Sequence, residues 1–254
     1  MAFTPQQNHL LAALSEATQE RLFRLMELVI LPQGKTLYET GEIISHVYFP
    51  VDSIISLLHV MRDGDSAKSA EVSVIGNEGL AGIHLIMGVE STISRAVVQS
   101  TGQAYRMPGK LLQDEFYRHG ELQMLILRYA QALIIQISNT SLCYRYHSVP
   151  QQLCRYLLLS LDRLPGNRLA MTQKRIADNL GVRREGIAEA AARLRRLGVI
   201  EYQRGNITVL NRQMLEQLSC ECYAKVKREN DRLMPGYRPA LVEGDRSELA
   251  TAEY

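Results

Sequence analysis

The sequence predicts an α+β protein in which a β-domain of the double-stranded β-helix or jelly-roll type is followed by a long helix and a winged helix-turn-helix. Three observations support this fold class. From residue 31 to residue 107, short runs rich in Val, Ile and Tyr alternate with turn residues, as in all-β domains. Residues 119–147 have helical periodicity. Residues 172–209 contain two helical segments separated by Gly181, followed by an alternating hairpin.

These elements divide the 254-residue chain into four parts. The parts are a β-domain opened by helices (1–118), the long helix (119–147), the winged helix-turn-helix (148–235) and a polar tail (236–254). The third part is expected to end in one continuous helix over residues 212–234, where apolar residues keep helical spacing. The longest apolar stretch, residues 124–137, is interrupted by Arg128, and no signal peptide opens the sequence. We therefore expect a cytoplasmic protein with no membrane association and with reduced cysteines.

Basic residues are concentrated in one segment of the chain. Residues 150–212 contain 12 Lys/Arg and 5 Asp/Glu, a net charge of +7, whereas the segments before and after have net charges of −3 and −2. A cluster of this kind attracts the phosphate backbone of nucleic acids. A solvated helix face is the alternative that charge alone leaves open.

The long helix carries a seam that predicts a homodimer. Its residues alternate spacings of four and three, as in coiled coils: Ile126, Ala130, Leu133, Ile137 and Thr140. Further apolar residues lie outside the seam, so the helix must be covered on more than one side. We expect one side to pack on the β-domain and the seam to meet a second chain. Burial within a single chain is the alternative.

The break at Gly181 predicts the helix-turn-helix. Thr172 is a favourable N-cap for the first helix, and Gly181 can adopt the left-handed backbone that ends it. The second helix is predicted over residues 183–196, with Ile187 and Leu194 on its buried face. Together with the basic segment and the hairpin, this pattern predicts binding of double-stranded DNA, with the second helix in the major groove.

Solvent-facing residues of this domain form the predicted DNA-binding set. Arg184 and Glu185 are assigned to base readout, because Arg can donate two hydrogen bonds to guanine and Glu can accept one from cytosine. The remaining members are the cap residue, exposed positions on the second helix and cations suited to phosphate contacts: Thr172, Lys174, Arg175, Arg183, Ala188, Glu189 and Arg204. We expect Arg193, Arg195 and Arg196 to form a solvated face.

The order of the parts and several motifs resemble the Crp–Fnr family of bacterial transcription regulators. The resemblance covers roughly residues 10–235 and is strongest in HVYFPVDSIISLL, VIGNEGLAG, LSCECY and TQKRIADNLGVRREGIAEAAARLRRLGVIEYQRGNITVL. It implies a sensory β-domain, a homodimer on palindromic DNA, and RNA polymerase as a partner. The family's recognition helix commonly has a further Arg at the position of Glu189, so the resemblance does not imply an operator sequence.

The resemblance also implies where an effector would bind. Cyclic-nucleotide-binding members use a Gly-Glu segment, an Arg-Ser pair and a Thr-Ser pair on the long helix. The corresponding residues here are Glu78, Gly79, Arg95, Ala96, Thr140 and Ser141. Because Ala96 lacks the hydroxyl donor of the Arg-Ser pair, a cyclic nucleotide is an alternative that we do not favour, and the effector stays open.

Cofactor chemistry is constrained by the cysteines and histidines. The iron–sulfur cluster of the oxygen-sensing relatives is not expected, because no cysteine precedes Cys143. Haem would need an axial ligand from one of four residues: His46, His59, His84 or Met87. Isolated histidines in a β-domain are more often only hydrogen-bonded. Cys220 and Cys222 are expected to be helix-borne thiols, with metal binding or oxidant sensing as the alternative, so no metal site is predicted.

Two other functional classes fit the sequence less well than a DNA-binding regulator does. A metal-dependent jelly-roll enzyme needs His and carboxylate ligands that converge in the β-domain, and the three histidines there lack ligand spacing. A cyclic-nucleotide-binding regulatory protein that acts on a partner protein would not need the winged element. We therefore expect a DNA-binding transcription regulator and no enzymatic activity.

Overall fold

The structure of the chain is a computed structural model, and it describes residues 3–63, 66–203 and 205–234. The predicted tail, residues 236–254, lies outside these ranges. Three short helices open the chain: a 3-10 helix Pro5–Gln7, α1 (His9–Ala12) and α2 (Glu16–Phe23). The buried Asn8 amide donates to the carbonyl oxygens of Pro50 and Gly79 at 2.9 and 2.8 Å. These hydrogen bonds fasten the opening helices to the β-domain.

Two antiparallel sheets form the β-domain, and the fold class predicted from the sequence is confirmed. The strands are β1 (Glu27–Leu31), β2 (Thr36–Tyr38), β3 (His46–Pro50), β4 (Ile54–Asp63), β5 (Ser66–Ile75), β6 (Ser94–Ser100) and β7 (Gly102–Pro108). The sheet orders are β1-β7-β3 and β2-β6-β4-β5. Leu31 and Ala104 of the first sheet share a buried cluster with Ile55 and Val98 of the second. The sheets therefore face each other across a common core. Two short helices accompany them, α3 (Ile83–Ile86) and α4 (Gly109–Phe116).

Helix α5 (Glu121–Tyr146) is 26 residues long, roughly 39 Å at 1.5 Å per residue. Its inner face packs against the β-domain, where Leu122, Ile126 and Tyr129 share a buried cluster with Phe49 and Met107. The helix therefore extends the core of the β-domain. Neither α5 nor any other helix in the described ranges is long and apolar enough to cross a membrane.

The seam that the sequence assigns to a dimer lies on this inner face. Ile126, Ala130 and Thr140 are at most 8% exposed in the single chain, and Leu133 and Ile137 are half-buried. Ile126 and Leu133 pack against the core of the β-domain, and Thr140 accepts a hydrogen bond from Arg155. Heptad spacing alone does not determine which side of a helix that is apolar on two sides meets which partner. That this seam contacts a second chain stays a prediction.

The outer face of α5 carries a second apolar stripe. Met124, Leu127, Ile134 and Leu142 are between 50% and 56% exposed. Intervals of three, seven and eight residues keep these side chains on one side of a helix. This stripe is an apolar surface of α5 that the single chain leaves accessible to a second chain.

The C-terminal part packs helices around a small sheet. Its helices are α6 (Val149–Leu161), α7 (Gln173–Leu180), α8 (Arg184–Arg196), α9 (Arg212–Leu218) and α10 (Glu221–Leu233). Its strands are β8 (Arg168–Ala170), β9 (Ile200–Gln203) and β10 (Asn206–Val209), in the order β8-β10-β9. Strand β8 adds a third strand to the predicted hairpin. The sequence did not predict β8, because three residues are too few to show the two-residue periodicity of a strand. Leu157, Ile176, Ile187 and Ile207 meet in the core of this part.

The continuous final helix expected over residues 212–234 is interrupted. Helix α9 ends at Leu218, Ser219 and Cys220 are extended with ψ of 164° and 163°, and α10 begins at Glu221. Extended residues do not continue the helical hydrogen-bond ladder, so the chain changes direction there. Helical apolar spacing continues on both sides, which is why periodicity did not reveal the break. Cys220 consequently stands at the N-terminus of α10.

The two halves of the chain meet where α7 packs against β5. Glu71 is buried at this contact, and its carboxylate accepts hydrogen bonds from Ser56 at 2.5 Å and from Asn179 of α7 at 3.2 Å. Burial raises the pKa of Glu71 to about 7, against the opposing effects of the Ser56 hydrogen bond and of Arg155 and Arg163. A titratable carboxyl thus lies between the β-domain and the helix-turn-helix.

Candidate nucleic-acid interface

The turn between α7 and α8 has the geometry that the sequence predicts. Thr172 caps α7, its Oγ1 accepting a hydrogen bond from the Arg175 N–H at 3.2 Å. Gly181 ends α7 with φ of +65°, in the left-handed region where glycine is favoured. The Val182 N–H then donates to the Ala177 carbonyl at 3.0 Å. The predicted helix-turn-helix is therefore confirmed.

Burial of one side of α8 determines which residues its other side presents. Ile187, Ala190 and Leu194 are buried in the core of the C-terminal part. Arg184 and Glu185, at the first turn of α8, are exposed. Because the buried side chains hold the helix along its length, its N-terminal end projects from the surface in a defined orientation.

The exposed side of α8 is predominantly basic. Arg183, Arg184, Arg193, Arg195 and Arg196 are all exposed, and within the part of the chain that the structure describes none of them forms an ion pair. Their charge is therefore available to an external anion such as a phosphate group.

The wing is fastened to the start of α7. The Gln173 N–H donates to the hydroxyl oxygen of Tyr202 in β9 at 3.1 Å. The Met171 N–H donates to the carbonyl of Gly205, at the tip of the hairpin, at 2.7 Å. These bonds hold hairpin and helix-turn-helix as one unit.

The remaining members of the predicted DNA-binding set occupy different surroundings. Lys174 and Glu189 are exposed, and Ala188 is half-buried. Arg175 is half-buried beside Gly34 of the β-domain and lines a shallow pocket with Asp178. Arg204 lies outside the described residues.

Glu78, expected to hold an effector, is engaged inside the protein. Its carboxylate accepts hydrogen bonds from Arg163, just beyond the end of α6, with both the Nε–Oε1 and Nη2–Oε1 distances at 2.7 Å. The two side chains are 7% and 3% exposed. Gly76 lies against Arg163, since an added Cβ at Gly76 would be 2.7 Å from the Arg163 side chain. This turn of the β-domain is thus filled by Arg163.

Gly79 is equally enclosed. A Cβ at this position would lie 2.0 Å from the ring of Tyr129, whose hydroxyl donates to the Leu80 carbonyl at 3.0 Å. Arg95, by contrast, is partly exposed and pairs with Glu39 at 2.9 Å.

The other predicted effector residues are not gathered around Glu78. Ala96 is buried in the β-domain core. Thr140 is buried and accepts a hydrogen bond from Arg155, whereas the adjacent Ser141 is exposed. Their role in effector binding stays a prediction.

The three histidines that could ligate haem have separate surroundings. His46 contacts the Ser45 hydroxyl at 2.8 Å, and His59 contacts the Ser94 hydroxyl at 3.1 Å. His84 is packed edge-on against Tyr38, and burial lowers the pKa of its imidazole.

Tertiary structure brings together a cluster that the sequence did not reveal. Cys143 and His147, at the end of α5, meet Cys220 and Cys222, at the start of α10. Cys220 and Cys222, expected to be helix-borne thiols, thus lie beside two further donors from which some 70 residues separate them along the chain. Within the sequence, the one-residue spacing of Cys220 and Cys222 and the three-residue spacing of Cys143 and His147 are each only a weak signal of metal binding.

Comparison with known proteins agrees with this architecture. Residues 151–218 match the family described as the Crp-like helix-turn-helix domain. No curated protein sequence matches the chain. Among solved structures, FixK2 of Bradyrhizobium japonicum has a TM-score of 0.64 at 16% identity, over 77% of this chain and 98% of its own.

Two further solved structures share the fold. The CRP-family transcriptional regulator TTHB099 of Thermus thermophilus has a TM-score of 0.59 at 15% identity, over 82% of this chain and 100% of its own. The c-di-GMP-responsive global regulator CLP of Xanthomonas campestris has a TM-score of 0.59 at 14% identity, over 77% of this chain and 99% of its own. At these identities the similarity establishes the fold, and the family match establishes the helix-turn-helix domain.

Proposed function

We propose that this chain is a DNA-binding transcription regulator of the bacterial cytoplasm. It carries a Crp-like helix-turn-helix domain and has the fold of Crp/FNR regulators. In this proposal it acts as a homodimer on a two-fold symmetric operator. The observation that carries this proposal is the exposed N-terminal end of α8, which presents Arg183 and Arg184 and is held in place by a buried face and by the wing. A helix presented in this way fits the major groove of DNA.

Within this surface we assign different tasks to different side chains. Arg184 and Glu185 reach base edges, because they stand at the exposed first turn of α8. Ala188 and Glu189 continue that face. Thr172, Lys174, Arg175, Arg183 and Arg204 contact phosphates and position the domain.

We assign the dimer contact to the outer face of α5. Met124, Leu127 and Ile134 are apolar, about half exposed and aligned on one side of the helix. Two such helices packed together would bury these side chains and relate the two copies of α8 by a two-fold axis. The copies must then lie about 34 Å apart to read two half-sites one helical turn apart.

Selection of bound sequences from a random DNA pool tests the proposal. We expect a palindromic site whose affinity falls steeply with salt, because phosphate contacts release counterions. Binding without sequence preference would contradict it.

Arg184→Ala tests the base-readout assignment. This substitution should reduce the binding free energy by about 1–3 kcal/mol and relax the sequence preference at one base position of each half-site. Arg195→Ala is the matched control, since Arg195 is an exposed arginine at the opposite end of the same helix. An unchanged preference in Arg184→Ala would refute the assignment.

The family resemblance adds RNA polymerase as a proposed partner. Transcription in vitro from a promoter that carries the selected site measures this directly. The rate should change when the protein is added, and a promoter with a scrambled site should not respond.

A further inference from the structure

Four metal-ligating side chains converge at the junction between the two halves of the chain. Cys143 is in the last turn of α5 and His147 follows that helix, while Cys220 and Cys222 flank the start of α10. Their donor atoms, three sulfurs and an imidazole nitrogen, all lie within 4.8 Å of one another. Two segments distant in sequence therefore contribute two donors each to one point.

We propose that Cys143, His147, Cys220 and Cys222 bind one thiophilic divalent metal ion, with Zn²⁺ as the favoured ion. Three sulfurs and one imidazole nitrogen are a ligand set of structural zinc sites, which are tetrahedral and closed to substrate. This site shares no residue with the proposed DNA-binding surface and goes beyond the proposed regulatory function.

Two distances within the cluster are close to the edges of such a tetrahedron. With Zn–S bonds of about 2.3 Å and Zn–N bonds of about 2.0 Å, tetrahedral edges are about 3.8 Å between two sulfurs and about 3.5 Å between sulfur and nitrogen. Cys143 Sγ lies 3.5 Å from Cys220 Sγ, and Cys222 Sγ lies 3.6 Å from His147 Nδ1. Small side-chain adjustments would centre an ion among the four atoms.

A carboxylate behind the histidine supports the same assignment. His147 Nε2 lies 3.2 Å from an oxygen of Glu221, and so the imidazole presents Nδ1 to the sulfurs. Histidines that ligate a metal usually donate their other N–H to a carboxylate or carbonyl, which fixes the ring and raises its basicity. Glu221, between the two cysteines of α10, is therefore a positioning residue.

The cluster is enclosed by the protein, as the closed ligand shell of a structural zinc site is. Cys143, Cys220 and Cys222 are buried, and His147 is half-buried. An open pocket of about 440 Å³ along α10 reaches Cys220, which offers an ion a path from solvent.

A disulfide explains less of this arrangement. The 3.5 Å separation of Cys143 and Cys220 exceeds the bond length of about 2.05 Å. A disulfide would use two sulfurs and leave Cys222 and the Glu221-oriented His147 without a role. Four converging donors with a supporting carboxylate point to an ion.

Metal binding here would hold α5 to α10 beside the connection to α6. Helices α5 and α10 already pack against each other. A four-coordinate ion would fix the end of α5 relative to the C-terminal part, so that the orientation of the DNA-binding half depends on metal content.

Metal analysis of the full-length protein, purified under reducing conditions and incubated with Zn²⁺, tests the site. We expect one ion per chain after removal of free metal. Replacement by Co²⁺ should produce the strong visible absorption of tetrahedral cobalt with thiolate ligands. Cys222→Ser and His147→Asn should each lose the stoichiometric ion and the cobalt spectrum.

Two further variants separate metal binding from folding defects. Glu221→Gln keeps all four ligands and should weaken metal affinity about 10–100-fold through the histidine alone. Cys154→Ala, which removes the buried cysteine of α6 outside the cluster, should bind one ion with unchanged affinity.

Three results would overturn the site. The first is folded, reduced wild-type protein that binds neither Zn²⁺ nor Co²⁺. The second is a disulfide between Cys143 and Cys220 that mass spectrometry finds in protein protected from oxidation. The third is equal loss of metal in Cys154→Ala and Cys222→Ser.

Discussion

Replacing Glu78 by Gln would remove the negative charge that Arg163 faces inside the protein. Both side chains are less than a tenth exposed, and Arg163 donates twice to one carboxylate oxygen at 2.7 Å. Loss of one partner from a buried ion pair costs about 3–5 kcal/mol when the remaining charge is left buried without compensation. Arg163 keeps its bond to the Leu159 carbonyl at 2.7 Å, so we expect the lower end of that range.

Urea unfolding followed by far-UV circular dichroism measures this effect. Glu39→Gln is the matched control, because it neutralises the same residue type in the pair with Arg95, where both side chains are about 40% exposed. An exposed pair contributes about 0–1 kcal/mol. The variant Arg163→Met and the double variant complete a cycle that isolates the coupling between Glu78 and Arg163.

A Glu78→Gln protein within about 0.5 kcal/mol of wild type would refute this reasoning. It would mean that Glu78 is not held by Arg163 in solution and is available to an effector, as the family resemblance implies. A large loss of stability together with strong coupling would establish the pair as part of the core.

Three other predictions follow from single residues. Ile134→Glu should convert a dimer into a monomer in sedimentation experiments, because it places a charge in the outer apolar stripe of α5. A variant that remains fully dimeric would show that the dimer contact lies elsewhere. Gly79→Ala should destabilise the chain by about 1–3 kcal/mol in urea unfolding, since its Cβ would meet the buried Tyr129 ring at 2.0 Å; an unchanged midpoint would show that the ring moves freely. Burial raises the pKa of Glu71 from 4.5 to about 7, so between these pH values the folded protein keeps a proton that the unfolded chain releases. The free energy of unfolding should therefore fall as the pH rises, by about 1.4 kcal/mol per pH unit and by about 3 kcal/mol over the whole interval. Glu71→Gln should abolish that slope, and an equal slope in both proteins would exclude Glu71 as its source.

The helix-turn-helix was predictable because its determinants are local. Thr172 as a cap, Gly181 as a left-handed stop and the apolar positions of α8 all act within one or two helical turns. The alternation of strands and turns likewise indicated the β-domain, since a period of two does not depend on which strands pair.

Helix α5 shows where local pattern stops being sufficient. Its sequence contains two apolar stripes, and both are compatible with a helix covered on two sides. Only the position of the β-domain decides that Ile126 and Ala130 face inward and that Leu127 and Ile134 remain outside. The break between α9 and α10 at Ser219 could not be predicted for a related reason, because the helical spacing of apolar residues continues on both sides of it.

By itself, then, the sequence determined the order of the parts, the helix-turn-helix and the basic character of its recognition surface. Periodicity, capping and charge are properties of residues close together in the chain. Only the tertiary structure decided that Arg163 neutralises Glu78 and that Cys143 and His147 meet Cys220 and Cys222. Those contacts join residues about 70 or more positions apart, and no short-range pattern specifies which distant segments the packing of the core brings together.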